Sequence, residues 1–179
     1  MNSLSTIVGG LGGAFLFSMA GAGGAVAQAV GGGCVLEQTS FVARQVLHCG
    51  GGLTITPEAG AEYTLLDRDG NGKADAANLR GKALLIDAPK GSLGKAGFVV
   101  TTPQAIAAVR GTRWAVDAEG AKTSVFVARG RVSVRRTAGR GAVILGSGEG
   151  VDVEATTGPL IVKRWPAARV AALMARLGQ

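Results

Sequence analysis

Residues Phe98 to Val116 read FVVTTPQAIAAVRGTRWAV. Phe98 to Thr101 is a β-rich run. Pro103 lacks the amide that a sheet ladder needs and marks a bend, and an apolar segment from Ala105 to Val109 follows before Gly111-Thr112 interrupts it. Beyond the break, Trp114 and Val116 alternate with Arg113, Ala115 and Asp117, the pattern of a strand with one buried face. The stretch predicts a strand, a bend and a second strand, and it sets the class of the chain as mostly β.

The same texture extends in both directions. Val35 to His48 is open to a strand or a short helix, and the turn-forming Gly50 to Gly52 after it favours a strand. Leu53 and Ile55 alternate with threonines, Tyr63 to Leu66 follows a turn at Glu58 to Gly60, and Leu84 to Ile86 is a compact apolar strand. Val125, Val127, Val132 and Val134 predict one face of a hairpin turning at Ala128-Arg129-Gly130. Val143 to Leu145 and Val151 to Val153 flank Gly146 to Gly150, a turn that lacks the Lys and Ser/Thr of a nucleotide loop. Leu160 to Val162 is expected as a last strand. After Pro166, the helical spacing of Val170, Leu173, Met174 and Leu177 predicts a short helix stopped by Gly178, with Arg169 and Arg176 on its flanks. That helix is read as an edge cap, with a membrane or partner contact as the alternative. With 30 glycines and only 4% aromatic residues, the composition favours many tight turns between small aliphatic strands. The expected fold is a compact roll or sandwich of short strands, or a solenoid-like stack of them, with a short C-terminal amphipathic helix.

Thr102-Pro103, Ala105, Val109, Gly111-Thr112, the aromatic Trp114 and Val116 resemble the signature of the FecR domain family. Gly52 to Tyr63 is similar to the family's early strand pair and Leu79 to Asp87 to the strand before the signature. Ser124 to Val134 and Val143 to Val153 look like the strands after it. The resemblance covers Leu53 to Val153. It implies an extracytoplasmic β domain that relays a signal from an outer-membrane receptor to a cytoplasmic sigma factor, behind an anti-sigma segment and a membrane helix. Here a leader stands where those parts are expected. The expectation is therefore a non-catalytic periplasmic domain acting on another envelope protein, such as a membrane sensor, through protein contacts. The signature residues read as architecture more than as a site.

Leu11 to Ala22 resembles the hydrophobic core of a secretory leader, and Ala25-Val26-Ala27 supplies small residues for cleavage after Ala27, although Met1 to Gly10 carries no Lys or Arg. The organisation expected is a leader over 1–27, an N-terminal segment over 28–52, the β domain over 53–163 and the helix over 164–179, in a periplasmic or secreted protein. An even pair of cysteines in an oxidising compartment predicts a disulfide between Cys34 and Cys49. All charged side chains follow the leader, so the mature chain keeps the formal charge of +7 and favours acidic partners. Nucleic acid is excluded by compartment and by the scarcity of stacking aromatics.

Asp67-Arg68-Asp69-Gly70-Asn71-Gly72-Lys73-Ala74-Asp75 reproduces the first nine positions of an EF-hand calcium loop, with Asp67, Asp69, Asn71 and Asp75 as candidate ligands. Position twelve is Asn78, which cannot supply the bidentate carboxylate. The reading favoured is a polar turn closed on its own backbone, with structural calcium as the alternative. His48 is the only histidine and no serine sits in a nucleophile elbow, so no catalytic set emerges and no enzyme is expected. The alternative function is a basic envelope module holding anionic polymer or a membrane surface, with Arg135, Arg136 and Arg140 as candidate contacts.

Overall fold

The computed structural model describes residues 27–39, 44–91, 97–156 and 158–179. The leader core Leu11 to Ala22, together with Phe41 and Val42, lies outside them. The strands in chain order are β1 (Ala27–Val30), β2 (Cys34–Thr39), β3 (Arg44–Cys49), β4 (Thr54–Pro57), β5 (Glu62–Leu66), β6 (Ala76–Ala88) and β7 (Phe98–Thr101). They continue as β8 (Ala105–Val109), β9 (Thr112–Glu119), β10 (Lys122–Arg129), β11 (Val132–Arg136), β12 (Ala142–Leu145), β13 (Glu149–Glu154) and β14 (Lys163–Arg164), and helix α1 (Ala167–Arg176) ends the chain.

β6 organises all of this because it belongs to two sheets. Its first half lies between antiparallel β5 and parallel β7, and its second half lies between antiparallel β4 and β9. The kink comes at Gly81-Lys82, where Lys82 takes a left-handed φ of 63°. That conformation costs a side-chain-bearing residue about 1 kcal/mol or more, and Lys82 Nζ offsets it by donating to the Ala59 carbonyl at 2.6 Å. The first sheet runs β1-β2-β3-β4-β6-β9-β10-β13-β14, and the second runs β5-β6-β7-β8-β11-β12. The ribbon curls so that the inward residues of both sheets share one core. Leu47, Ile55, Leu84, Ile86, Trp114, Val125 and Val151 meet Leu79, Phe98, Val100, Val132, Val134 and Leu145 there.

A roll of short strands closed by a helix is thus the architecture, and four local expectations are corrected. Phe98 to Val116 holds three strands, because Ala105 to Val109 is itself β8, folded back on β7 through Thr102-Pro103-Gln104. Val35 to His48 is a pair, β2 against β3, with Cys34 opposite Cys49. Ser124 to Val134 is not a hairpin: β10 pairs with β9 and β13, whereas β11 pairs with β8 and β12. Gly130, at φ 97°, hands the chain from one sheet to the other, so the four valines face one core from opposite walls. Leu160 to Val162 makes no ladder, and only Lys163-Arg164 pairs, with Gly150 and Glu149.

The two outer faces differ. Ala83, Leu85, Ala115 and Phe126 on the outer face of the first sheet are covered by Trp165, Leu173 and Leu177, with Val170 and Met174 packed alongside. The molecule therefore has three layers: second sheet, first sheet, helix.

Candidate functional site

Strand alternation sets up the floor beneath α1. Register places Asp117, Ser124 and Asp152 in one row across β9, β10 and β13, and Ala115, Phe126 and Gly150 in the next. The Trp165 ring stacks on Phe126 with centroids 5.2 Å apart. Gly150 leaves room for it, since a Cβ there would overlap the indole. Arg169 lies 3.6 Å over the Trp165 ring and donates to Asp152 Oδ2 at 3.0 Å. Arg176 bridges two carboxylates, reaching Glu58 Oε2 at 2.6 Å and Asp117 Oδ2 at 2.8 Å. The Arg113 guanidinium joins Asp87 to the Gln179 side chain. Partial burial pushes the Asp152 carboxyl up, but bonds from Arg169 and Ser124 outweigh it and hold the group below its ordinary value. Hydrogen bonds that Arg176 donates to Glu58 and Asp117 raise its already high pKa further. Both flanking arginines of the helix therefore turn inward and tie it to the sheet. The sequence signals that could have indicated this are Asp117, set between the apolar Val116 and Ala118, and Asp152, set between two valines.

Beside this clasp, β13 pairs with β10 from Gly150 to Glu154 but with β14 only at Glu149 and Gly150. Beside the strand edge is a cavity of about 290 Å³, with Arg136, Asp152, Glu154, Thr156, Ile161 and Lys163 in its wall. Arg136 is only 7% exposed. Its guanidinium donates to the carbonyls of Glu154 and of Gly158, the latter at 2.8 Å. Its Nε is buried without a partner, and among the described residues no carboxylate pairs with it. The three arginines grouped in the sequence are thus separated: Arg136 turns into the fold, whereas Arg135 and Arg140 face solvent.

The loop from Asp67 to Asp75 is engaged by its own chain. Asp67 accepts from the Asn71 amide at 3.1 Å and the Gly72 amide at 2.7 Å, Asp69 accepts the Asn71 side-chain amide, and Asn71 Oδ1 accepts the Lys73 amide. Desolvation acts to raise the Asp67 pKa, but the amide bonds from Gly72 and Asn71 bring it below the ordinary value. Asp75 faces Arg68, whose backbone amide and Nε both donate to Oδ1. The loop also docks on the β1–β2 turn, where the Ala74 amide donates to the Gly32 carbonyl at 2.8 Å. Among the described residues no three His, Cys, Asp or Glu side chains gather into a metal-holding group.

The signature residues lie in turns and core. Thr102 Oγ1 accepts the Ala105 amide at 2.9 Å and meets Thr123 Oγ1 at 2.8 Å, closing the β7–β8 turn around exposed Pro103. Ala105, Val109, Trp114 and Val116 are core. Gly111, at φ 76°, passes so close to Lys90 that a Cβ would collide with it, and Thr112 Oγ1 donates to the Arg131 carbonyl at 3.0 Å. Cys34 and Cys49 form a disulfide across β2 and β3. Closing a loop of that size stabilises a fold by about 3 kcal/mol.

The sequence profile of the family described as FecR protein matches residues 42–133. No curated protein sequence matches the chain. A crystal structure at 1.65 Å resolution of a candidate anti-sigma factor from Parabacteroides distasonis ATCC 8503 superposes with a TM-score of 0.56 at 20% identity, over 83% of this chain and 64% of that one. A second structure with the same description, at 2.50 Å resolution, gives a TM-score of 0.47 at 19% identity over the same shares. The chain spans less than two thirds of the length of these proteins, and the likeness to the first is one of fold. The family profile covers just over half of the chain, and the β7–β8 turn, the Gly111 turn and the Trp114 strand all lie inside the match: the protein belongs to the FecR family.

Proposed function

We propose that this is a non-catalytic domain of envelope signalling, periplasmic or secreted, that acts by binding another envelope protein, a membrane sensor being the expected partner. Membership of the FecR family is the observation that carries the reading. The layering supports it: the first sheet is covered by α1, whereas the second sheet carries exposed Ile144 on its edge strand β12. The test is affinity capture of the mature chain from its own envelope extract at low and high salt, with mass spectrometry of what stays bound. The expected result is one membrane or receptor protein retained at high salt, as a packed interface requires.

A specific observation favours the second reading, a basic module for anionic polymer or membrane surface. Arg80, Arg110, Arg131, Arg135 and Arg140 sit in strands and turns around the second sheet, are exposed, and have no acidic partner among the described residues. If only anionic material is captured and salt releases it, that reading replaces the first.

A further inference from the structure

The outer face of the second sheet is apolar where water alone would favour polar residues. A sheet with one face in the core and the other in solvent ordinarily alternates apolar and polar side chains. Register instead aligns Val99, Ala108, Ser133 and Ile144 in one outward row, and Thr101, Ile106, Arg135 and Ala142 in the next. The residues between them, such as Val100, Ala107 and Val134, fill the core. On the outward side Val99, Ile106 and Ala108 are only half-buried, and Ile144 is 69% exposed.

The charge around this face has one sign. Strands β7, β8, β11 and β12, with the turns joining β7 to β8 and β11 to β12, contain no Asp or Glu. Arg135 lies on the face, and Arg110, Arg131 and Arg140 stand in the turns at its strand ends. Every Asp and Glu of the chain lies among the described residues, and none of them pairs with these arginines. At the borders, Asp75 is held by Arg68 and Glu149 by the Gly146 amide, while Glu62 stands on β5, with β6 and β7 between it and β8.

The first sheet shows what answers such a face. There Ala83, Leu85, Ala115 and Phe126 receive the apolar stripe of α1, and arginines on the helix meet Glu58, Asp117 and Asp152 around it. The second sheet has a similar centre of small and aliphatic residues, but here the arginines belong to the sheet.

We infer that the outer face of β7, β8, β11 and β12 docks an amphipathic helix of a partner protein, with its apolar stripe on Val99, Ile106, Ala108 and Ile144 and with Asp or Glu on its flanks facing the arginines. This rests on the reading of the chain as a protein-binding domain and names the chemistry of its partner. A helix laid in this way is held by its apolar stripe, and its flanking charges set the choice of partner. A second copy of this chain would oppose arginine to arginine. Lipid surfaces favour Trp and Tyr at the headgroup level, whereas both tryptophans are buried here and the one tyrosine, Tyr63, packs against the core.

The test is a titration of the full, isotope-labelled chain with acetyl-Glu-Ala-Leu-Glu-Glu-Leu-Leu-Glu-Ala-Leu-Glu-Glu-amide and with a counterpart carrying Lys at every Glu, read at the backbone amides. The expected result is saturable shifts at Val99, Thr101, Ile106, Ala108, Ser133 and Ile144, with the Glu peptide bound about tenfold more tightly. Arg135→Glu should erase most of that preference. Ile144→Ser, at an exposed position, should weaken binding about tenfold with the thermal transition unchanged. Absence of shifts, shifts confined to the first sheet and α1, or equal affinity for wild type and Ile144→Ser would overturn the site. So would shifts at these amides with phosphatidylglycerol vesicles and none with the Glu peptide, which would give the face to a membrane, or shifts that grow with the concentration of the free chain, which would give it to a second copy. The capture experiment separates the two levels. A protein partner retained at high salt by wild type and Ile144→Ser alike removes this face and leaves the protein-binding reading standing. If wild type retains no protein partner at all, the protein-binding reading itself fails.

Discussion

Gly150 fixes how the tail meets the sheet. It lies in the row of Ala115 and Phe126, and its missing side chain is the space that the Trp165 indole occupies between β13 and the helix. A methyl group there would also press on the Val125 carbonyl, which cannot move without disturbing the β10 ladder. Gly150→Ala is therefore expected to cost about 1–3 kcal/mol and to weaken the near-ultraviolet circular dichroism of the stacked Trp165. Unchanged stability and an unchanged aromatic signal would remove this account of the contact. Little of it was legible in the sequence, where Gly150 reads as one of several glycines in a turn. What gives it a specific role is a tryptophan fifteen positions away. The signature residues are different: Pro103 and Trp114 mark a turn and a core position that the local pattern already showed, whereas the approach of Gly111 to Lys90 was not legible there.

At the scale of elements, α1 is tied by ion pairs over an apolar patch. The Asp152 carboxyl is held below its ordinary value in the fold, so it stays charged there at a pH where the unfolded chain takes up a proton. Its contribution is present above about pH 4 and is lost as the pH falls through the folded value. Arg176 is shifted the other way, so its charge persists throughout. Lowering the pH from about 5 to about 2 should release α1 before the sheets unfold, seen as a red shift of Trp165 emission while Trp114 stays buried. Arg169→Gln should make that step shallower. A single transition shared by both tryptophans at every pH would refute separate release. The loop from Asp67 to Asp75 is proposed to hold itself through its amide bonds, so melting with millimolar calcium and with chelator should give one temperature. A calcium-dependent rise would restore the cation reading. The helix was legible from its 3.6-residue period, but the inward turn of Arg169 and Arg176 was not, because their partners lie on three distant strands and a turn.

At the scale of the whole molecule, the β-rich roll was legible because alternation and glycine turns recur along the chain. Pairing was less so. Ser124 to Val134 has the spacing of a hairpin, yet its two strands line opposite walls of one core, and alternation cannot distinguish a face shared by neighbours from a space shared across it. The same limit hid the length of β6: Leu84 to Ile86 is visible as an apolar run, whereas Ala76 to Arg80 serves a second sheet with Leu79 as its one large apolar residue. The order of the first sheet also has a mechanical meaning. β1 is at one edge and β14 at the other, so tension applied between the two ends of the described chain would act across the ladder and peel strands from the rims one pair at a time. On the C-terminal side α1 would lift first and the two-residue attachment of β14 would yield next, and β6, gripped on both sides in both sheets, would be the last to feel the load.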